Sequence, residues 1–548
     1  MLSQEKINHL VLLILVVVSG VLGYFAWSPY SAAFLIFVAF VPTLLMEHLV
    51  FQAAHRNSNW VVFFYAFLNF LVWNGLTTYW VYLASLPGAI MAVFCNSILQ
   101  AVPVLIYHVS KKHIGQRLSL LTLICLWISL EYLHLNWDLA WPWLNLGNVF
   151  AMHPNWVQWY EFTGALGGSL WVLLVNILIF EVILRYSMGR EKHKPMFRIW
   201  PELLLILLLI TAPFILSWFL YRQTFPAVRT AEVVVVQPNV DPYNDKFDRS
   251  TMNTQLNNLL RISDSLLTKD TELLIWPETA LPWNSEITTV NETEPMQQII
   301  AFLKKHPQMK LITGFSPYLI YPEGKGKTPT ARQVQNSANY YDVFNSALLI
   351  DGTGQYQYYH KNKLVPGVEI MPYPAVFSFL EDFAIDLGGT SGSLGRSDKA
   401  IVFPVDSSIR AAPIICYESI FGDYTGDFIA DGANIIALIT NDGWWGNSDG
   451  YKQHLHYASL RAVETRKAIA RSANTGISAF FDTRGNIMEQ TGFWVPGGLR
   501  ANLPINNHIT FYVKYGDYIG RIASYLSVFL LLIVIMRKIT RKRARYIR

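Results

Sequence analysis

The chain has 548 residues, of which 52% are hydrophobic and only 15% are charged. Soluble globular chains carry about 25% charged residues, so this composition indicates a membrane protein with a soluble part rather than a wholly soluble protein. The net charge of +5 would suit a nucleic-acid partner, but the basic residues flank apolar runs, most densely in the tail Arg537–Arg548. That placement is typical of the cytoplasmic flanks of membrane helices, and we expect no nucleic-acid partner.

Eight apolar runs are long enough to cross a bilayer as helices, which takes about 20 residues. The first run lacks a small-residue cleavage site and has a weakly basic start, so it predicts a retained helix rather than a signal peptide. A long polar insert separates the seventh run from the eighth. The runs are His9–Trp27, Ser31–Phe51, Trp60–Leu83, Pro87–Tyr107, Leu118–Leu135, Gly164–Arg185, Trp200–Tyr221 and Ile519–Met536.

The connections between these runs alternate in basic content, and this alternation predicts the orientation in the membrane. The connections after the second, fourth and sixth runs are basic, whereas the odd-numbered connections up to Phe162 hold no lysine or arginine. We therefore expect the N-terminus and the basic tail in the cytoplasm, and the long insert on the periplasmic or outer side. The basic residues are Arg56, Lys111, Lys112, Arg117, Arg185, Arg190, Lys192, Lys194 and Arg198.

The long polar insert differs from the apolar runs in its sequence pattern, because short β-branched segments alternate there with helical patterns. Such alternation predicts an α/β domain in which helices cover a sheet. Three parts are therefore predicted: a transmembrane domain of about seven helices (1–228), an extracytoplasmic domain (229–509), and a C-terminal transmembrane helix with a basic tail (510–548). The predicted helices of the insert are Thr251–Leu267, Pro295–Lys305 and Tyr451–Arg471, and the predicted strands are Glu232–Gln237, Glu272–Trp276, Lys310–Gly314, Ala347–Asp351, Ala412–Cys416, Asn434–Thr440 and Ile477–Asp482.

Three reactive side chains of the insert each stand at the end of a strand-like run. Glu278 and Cys416 end apolar runs, and Lys361 follows a run rich in tyrosine. A carboxylate, an amine and a thiol at one rim of a sheet would make a nucleophile with its base and its oxyanion partner. Each residue alone has a simpler interpretation, namely an ion-paired carboxylate, a solvated basic face and a buried core cysteine.

The motifs around these residues resemble the glutamate, lysine and cysteine motifs of the nitrilase superfamily. They are Trp276–Glu278, Lys361–Pro366 and Cys416–Glu418. With its apolar runs, the chain is similar over nearly its whole length to the membrane-embedded branch of that superfamily, the apolipoprotein N-acyltransferases. The resemblance implies a polytopic α-helical membrane domain plus an α/β nitrilase-like domain, which is an α-β-β-α sandwich. Further matching segments are Trp141–Leu144, Gln237–Asn239, Asn441–Gly446, Gln453–His454, Arg461–Glu464 and Arg471–Gly476.

The resemblance implies a role for each member of the triad. Cys416 is the expected nucleophile, which takes an acyl chain as a thioester; Glu278 is the expected general base; Lys361 is expected to hold the developing oxyanion. A free thiol has a pKa of about 8.5, and we expect a nearby base and a positive amine both to favour the thiolate. Supporting roles are implied for Glu369, Tyr417 and Glu418.

Aromatic residues are expected where lipid enters the site. Phe247 stands where many relatives carry a tryptophan, which keeps an aromatic ring but removes the indole N–H. We hypothesise that Trp444 and Trp445, with Phe493 and Trp494, form an interfacial lip for acyl chains. Ordinary packing of core and loop aromatics is the alternative interpretation.

The resemblance also implies the partners and the location. The acyl donor would be a phospholipid, and the acceptor would be the free α-amino group of the S-diacylglyceryl cysteine in a diacylated apolipoprotein. The chain would be a multi-pass protein of the bacterial inner membrane whose catalytic domain faces the periplasm. No cofactor or metal is expected, because His454 and His456 are two residues apart on a predicted helix and point to different faces.

Two alternatives stay open on the sequence alone. A membrane-anchored nitrilase-type amidohydrolase acting on small amides would use the same triad. A transporter or sensor whose exterior domain only binds a ligand would need no reactive thiol.

Overall fold

A computed structural model describes residues 8–27, 29, 32–53, 57–191, 199–373 and 393–546. The chain forms two compact units, the first drawn from Met1–Tyr82, Ala89–Tyr221 and Asp517–Arg548, and the second from Leu83–Gly88 and Arg222–Gly516. Of the basic residues that predict the orientation, Arg56, Lys192, Lys194 and Arg198 lie outside the described residues.

The first unit consists of helices that are long and apolar enough to cross a membrane. Eight such helices occur among the described residues, with a mean hydropathy between 1.4 and 2.6. At about 1.5 Å of rise per residue, each can reach across the hydrocarbon layer. The predicted polytopic helical domain is thereby confirmed. The helices are His9–Trp27, Ala33–Gln52, Ser58–Thr77, Leu86–Ile114, Gln116–Leu135, Tyr160–Ser187, Trp200–Tyr221 and Tyr518–Arg541.

Two buried carboxylates of the first unit are bound to polar partners. Glu47 lies 2.7 Å from His108 Nδ1 and accepts a hydrogen bond from Lys111 Nζ at 2.8 Å. Glu131 accepts a hydrogen bond from the backbone N–H of Leu146 at 2.8 Å. Because a buried polar group is costly unless it is hydrogen-bonded, these contacts support structural roles for both glutamates.

The second unit contains two β-sheets. Their strands in chain order are β1 (Arg229–Gln237), β2 (Thr271–Ile275), β3 (Leu281–Glu286), β4 (Lys310–Tyr321), β5 (Arg332–Gln333), β6 (Tyr340–Val343), β7 (Ser346–Ile350), β8 (Tyr356–His360), β9 (Phe403–Pro404), β10 (Arg410–Ile415), β11 (Ile435–Thr440), β12 (Ile469–Ala473), β13 (Ala479–Phe481), β14 (Ile487–Gln490) and β15 (Gly497–Ile505).

The two sheets have parallel centres and antiparallel flanks. In the first sheet the order β15-β1-β2-β4 continues through β6 to β5, β3 and β7 also pair with β4, and β8 pairs with β7. The second sheet has the order β14-β13-β12-β11-β10-β9. The neighbours β1, β2 and β4 are parallel, as are β10, β11 and β12. The carboxyl ends of parallel strands share one edge of a sheet, and this edge carries the reactive residues described below.

Helices pack on the sheets, and the sheets pack on each other. In α1 (Met252–Leu266), Leu256, Leu259 and Ile262 recur at helical spacing and pack with α2 (Glu294–Leu303) against the first sheet. On the second sheet lie α3 (Gly422–Ala430) and α4 (Asp449–Thr465). The hydroxyl of Ser472 on β12 donates to the carbonyl oxygen of Val236 on β1 at 2.7 Å and so joins the sheets. The predicted α/β fold is confirmed.

The predicted helix Tyr451–Arg471 is wrong at its C-terminal end. Helix α4 ends at Thr465, Arg466 takes a left-handed conformation with φ of 54°, and β12 begins at Ile469. Every residue of β12 is buried, so the strand shows no alternation of apolar and polar residues. A short, fully buried strand cannot be told from a continuing helix by periodicity alone.

Candidate active site

The three residues of the predicted triad lie just past the ends of three strands. Glu278 follows β2 within three residues, Lys361 is the first residue after β8, and Cys416 is the first residue after β10. Strands β2 and β8 belong to the first sheet and β10 to the second. The candidate site therefore draws on both sheets, because neither alone supplies the carboxylate, the amine and the thiol.

The ammonium group of Lys361 lies between two carboxylates. Its Nζ is 3.3 Å from Glu278 Oε1 and 2.8 Å from Glu369 Oε1, and only 1% of the lysine is exposed. Burial alone lowers the pKa of Lys361, but the carboxylates of Glu369 and Glu278 outweigh burial and leave that pKa raised. Lys361 is therefore positively charged and can donate a hydrogen bond to a developing negative oxygen.

Asn345, which the sequence did not single out, fixes the same group of side chains. Its Nδ2 donates to Glu278 Oε1 at 2.7 Å and to Glu369 Oε1 at 2.8 Å. Its backbone carbonyl oxygen accepts from the N–H of Lys361 at 2.8 Å. The available signal was a polar residue placed directly before the fully buried strand β7. Asn345 orients both glutamates and the chain that carries the lysine.

Cys416 has an unusual backbone and a thiol that is protonated at rest. Its φ is 49°, which places a non-glycine residue in the left-handed region. Burial raises the pKa of the thiol, the charge of Glu278 raises it further, and Lys361 acts in the opposite direction. The expectation that the base and the amine both favour the thiolate is therefore wrong for the carboxylate, because a negative charge disfavours a second one beside it.

Glu418 joins the segment after Lys361 to the segment before Cys416. Its Oε1 accepts from the backbone N–H of Asn362 at 2.8 Å, and its Oε2 accepts from that of Ile415 at 2.9 Å. Burial raises the pKa of Glu418 to about 7, against the hydrogen bonds that favour the charged form. This carboxyl group fixes the backbones that present the amine and the thiol.

Lys246 is a second buried amine that sequence reasoning did not single out. It is 1% exposed, and its Nζ donates to the backbone carbonyl oxygen of Glu278 at 3.3 Å. Burial lowers the pKa of Lys246 to about 7, although the charge of Glu278 opposes this. The neighbouring Phe247 is only partly buried. The signal available in the sequence was a lone lysine in a loop rich in aspartate.

The predicted aromatic residues divide into buried and partly exposed ones. Tyr417 is buried and meets the ring of Phe421 edge to face at 5.4 Å. Trp444 is partly exposed, and its carbonyl oxygen accepts from the hydroxyl of Tyr243 at 2.7 Å. Trp445 packs edge to face against the buried imidazole of His454 at 5.5 Å. In a second cluster Phe493 stacks on Tyr451 at 4.0 Å and lies 5.6 Å from Trp494.

No group of three or more histidine, cysteine, aspartate or glutamate side chains within the described ranges is arranged to hold a metal ion. His454 lies on α4, with Nδ1 2.9 Å from Asp442 Oδ1 and Nε2 3.0 Å from Ser419 Oγ. Its neighbour two positions on, His456, is on the same helix and only partly buried. The candidate site brings together a carboxylate, an ammonium group and a thiol.

Comparison with known proteins identifies both parts of the chain. Residues 19–178 match the model of the apolipoprotein N-acyltransferase N-terminal domain, and residues 232–507 match that of carbon-nitrogen hydrolase. An apolipoprotein N-acyltransferase of Chlorobaculum tepidum is 30% identical over 526 residues, which cover 93% of this chain and 94% of the relative. One of Geobacter metallireducens is 25% identical over 521 residues, covering 92% and 91%.

Among solved structures, an amidase from Nesterenkonia sp. aligns with 55% of this chain and 98% of its own, at 14% identity and a TM-score of 0.35. A likeness at this level carries no argument about activity. The match to the hydrolase family rests on the sequence of residues 232–507.

Proposed function

The chain is a multi-pass bacterial membrane protein of the apolipoprotein N-acyltransferase family, and from this premise we propose its reaction in detail. It moves an acyl chain from a phospholipid to the α-amino group of the S-diacylglyceryl cysteine in a diacylated apolipoprotein. The transfer is ping-pong and passes through a thioester on Cys416. Glu278 is the general base and Lys361 the oxyanion partner.

The observation that carries the proposal is the contact of Lys361 Nζ with Glu278 at 3.3 Å and with Glu369 at 2.8 Å. The charges of Lys361 and Glu278 also act on the Cys416 thiol. A base, a fixed positive donor and a nucleophile within one site are the elements that covalent acyl transfer needs. The proposed substrates, a phospholipid and an apolipoprotein, rest on membership of the family. The proposed acyl transfer through Cys416 rests on the arrangement of these side chains.

In the first half-reaction the sulfur of Cys416 attacks the ester carbonyl carbon of the phospholipid. Its proton passes to the carboxylate of Glu278, while the carbonyl oxygen becomes negative and accepts a hydrogen bond from Lys361. The C–O bond of the ester then breaks. The departing oxygen takes the proton from Glu278 and leaves as a lysophospholipid, and the acyl chain stays on sulfur.

The raised pKa of the Cys416 thiol shapes this step. A thiol that is protonated at rest reacts only slowly with small electrophiles, because the thiolate is the nucleophile. Proton transfer to Glu278 therefore accompanies the attack rather than preceding it. As Glu278 takes the proton and becomes neutral, the negative charge appears on the carbonyl oxygen, next to the ammonium group of Lys361.

In the second half-reaction the neutral α-amino group of the apolipoprotein attacks the thioester carbonyl carbon. Glu278 accepts a proton from the nitrogen, Lys361 again stabilises the negative oxygen, and the C–S bond breaks. The sulfur of Cys416 recovers a proton from Glu278, which restores the resting site. The product is an amide. The second half-reaction is favourable because an amide is more stable than a thioester.

The membrane location follows from the substrates. Each methylene kept in an apolar environment is worth about 0.8 kcal/mol, so neither a phospholipid nor a diacylated protein leaves the bilayer easily. We place the site at the periplasmic face of the bacterial inner membrane, in accord with the alternation of basic connections in the sequence. The partly exposed Phe247, Trp444 and Trp445 are proposed to contact acyl chains there.

The direct test is mass spectrometry of the purified enzyme after incubation with phospholipid. We expect one acyl mass on the peptide that contains Cys416, and its removal from that peptide when a diacylated lipopeptide is added. Cys416→Ala should lose both signals, whereas Cys95→Ala, which removes an exposed thiol of the membrane unit, should keep them. Acylation of the lipopeptide by the Cys416→Ala variant would refute the assignment of the nucleophile.

The same experiment separates the amidohydrolase alternative, which would use the same triad. In that case water accepts the acyl group, so free fatty acid accumulates and the lipopeptide keeps its mass. A lipopeptide that gains one acyl chain, in proportion to the lysophospholipid formed, supports the transferase. A protein that only binds ligand would give no acyl mass on Cys416 at all.

A further inference from the structure

A buried group outside the triad contacts the peptide carbonyl of the nucleophile. The imidazole of His454 places Nε2 3.2 Å from the carbonyl oxygen of Cys416 and 3.0 Å from Ser419 Oγ. Its Nδ1 lies 2.9 Å from Asp442 Oδ1. His454 and Asp442 are completely buried. His454 therefore contacts the backbone of Cys416, whereas the charges of Glu278 and Lys361 act on its thiol.

The hydrogen on Nε2 follows from its two neighbours. The hydroxyl of Ser419 donates to the carbonyl oxygen of Cys416 at 2.7 Å and so uses its only hydrogen. Its oxygen can then only accept, and the carbonyl oxygen is an acceptor in every state. Since both neighbours of His454 Nε2 are acceptors, this nitrogen carries a hydrogen.

The hydrogen on Nδ1 follows from the charge of Asp442. Burial raises the pKa of Asp442, but Arg471 and His454 together outweigh burial and hold that pKa far below its ordinary value. Arg471 Nη2 binds Oδ2 at 2.5 Å, and the hydroxyl of Thr440 donates to Oδ1 at 2.8 Å. A carboxylate only accepts, so Nδ1 at 2.9 Å must donate. The guanidinium of Arg471 is farther from Nδ1, at 3.3 Å.

We propose that His454 is a positioning residue for the nucleophile, held as an imidazolium that donates to Asp442 on one side and to the carbonyl oxygen of Cys416 on the other. The proposal deepens the function proposed above and rests on Cys416 as the attacking residue. A neutral imidazole would leave one nitrogen lone pair facing an acceptor on one of its two sides. The doubly protonated ring donates to both acceptors, Asp442 Oδ1 and the carbonyl oxygen of Cys416.

The imidazolium has two consequences for Cys416. A non-glycine residue in the left-handed region, here with φ of 49°, holds a strained backbone. A charge-assisted hydrogen bond to its carbonyl oxygen, about twice as strong as a neutral one, holds that backbone in place. The charges of His454 and Arg471 also exceed that of Asp442, which leaves one positive charge near the nucleophile. That charge favours the thiolate as the proton leaves.

The other charged groups around this network come from several elements. Glu278 and Lys361 act on the thiol from the first sheet. On α4, Arg461 donates to the carbonyl oxygens of Ser419 and Ile420 and pairs with Glu464 at 2.8 Å. Arg461 therefore supports the same turn after Cys416 and adds no unpaired charge to it.

Solid-state NMR of the full-length enzyme in lipid vesicles tests the protonation state directly. With ¹⁵N in the histidine rings and ¹³C at the cysteine carbonyls, dipolar coupling identifies His454 through its contact with Cys416. We expect both ring nitrogens of the coupled histidine to carry hydrogen near neutral pH. A coupled ring with one bare nitrogen, or no coupling between any histidine ring and a cysteine carbonyl, overturns the proposal.

His454→Gln tests the consequence, because it keeps a donor and removes the charge. We expect alkylation of Cys416 by iodoacetamide to slow by roughly tenfold at neutral pH, equivalent to one unit in the thiol pKa. His456→Gln, on the same helix, is the matched control. The readout involves no lipid, so it is independent of whether the enzyme transfers acyl chains. Unchanged alkylation in a folded His454→Gln protein overturns the proposal, and if that variant does not fold the NMR result decides.

Discussion

Glu278 and Glu369 are bound by the same two donors. Asn345 Nδ2 is 2.7 Å from one glutamate and 2.8 Å from the other, and Lys361 Nζ is 3.3 Å and 2.8 Å from the same two oxygens. Two buried carboxylates disfavour each other's charge unless a cation and hydrogen-bond donors lie between them. Asn345 and Lys361 therefore form a shared clamp that holds both glutamates, including the proposed base Glu278. Replacing either donor should shift both carboxylates.

The first prediction concerns the amide of that clamp. Asn345→Leu keeps the branched shape of the side chain but leaves both glutamates without one donor. An unsatisfied buried acceptor costs about 1–3 kcal/mol, which corresponds to roughly 5- to 150-fold in kcat/KM if the cost falls on the transition state. We expect the loss in kcat rather than in KM, measured as N-acylation of a diacylated lipopeptide. Asn284→Ala, at an exposed position of β3, should have no effect on kcat. An unchanged kcat in Asn345→Leu would contradict the role proposed for this amide.

The second prediction separates the reactivity of the thiol from catalysis. Because the charge of Glu278 raises the pKa of the Cys416 thiol, Glu278→Gln should lower it. Alkylation by iodoacetamide at neutral pH should then become faster, by roughly tenfold for each unit by which the pKa falls. Acyl transfer should be lost in the same variant, because the proposed base is gone.

The matched variant for this prediction has the opposite sign. Lys361 lowers the pKa of the Cys416 thiol, so Lys361→Met should raise that pKa and slow alkylation. Acyl transfer should be lost here too, because the proposed hydrogen-bond donor to the oxyanion is gone. Slower alkylation in Glu278→Gln, or faster alkylation in Lys361→Met, would contradict the proposed placement of these charges around the sulfur.

Much of this site could be predicted from the sequence, because three reactive side chains each end a strand-like run. Glu278, Lys361 and Cys416 are found by that rule, and parallel strands then place such ends at one edge of a sheet. Asn345 precedes its strand, and its importance depends on the pairing of β7 with β4 and β8. Strand neighbours far apart in sequence are not visible in a local pattern.

The same limit applies to the groups behind Cys416, the proposed nucleophile. Asp442 and Arg471 are 29 residues apart in the chain and meet only because β11 and β12 are parallel neighbours. Predicting a helix through Arg471 placed its side chain on the wrong kind of element. Where a strand is buried on both faces, as β12 is, the sequence carries no period that separates it from a helix.

The third prediction tests the aromatic lip. Trp445 packs against His454 and would disturb the site if replaced, so Trp444 is the cleaner position. We expect Trp444→Ser to raise the KM for phospholipid and to leave the alkylation rate of Cys416 unchanged, because the Trp444 ring packs edge to face on the exposed Tyr243 at 5.3 Å. Trp444→Phe keeps an apolar ring and should restore most of the affinity. Normal use of phospholipid by Trp444→Ser would end the hypothesis of a lip at this residue.

The fourth prediction uses the pKa of Glu418, which burial raises to about 7 from an ordinary value of 4.5. Between these values the folded protein holds a proton that the unfolded chain has lost, so stability falls as pH rises from about 4.5 to 7. Glu418→Gln cannot titrate. The melting temperature of the wild-type protein should therefore fall relative to the variant over that range, by thermal unfolding in detergent. Glu292→Gln, at an exposed position, should show no such trend; a flat difference for Glu418→Gln would contradict the shift.

The fifth prediction has the opposite sign and concerns Lys246, whose pKa burial lowers to about 7 from 10.5. Between these values the unfolded chain binds a proton that the folded protein lacks, so stability rises with pH from about 7 towards 10.5 and is lost as pH falls through 7. Lys246→Met has no such titration and should melt higher than the wild-type protein at or below neutral pH. The advantage should shrink as pH rises, and Lys305→Met, at an exposed position, should show neither effect. A variant that melts lower than the wild-type protein at every pH would mean that the contact of Lys246 with the carbonyl oxygen of Glu278 outweighs the cost of burying its charge.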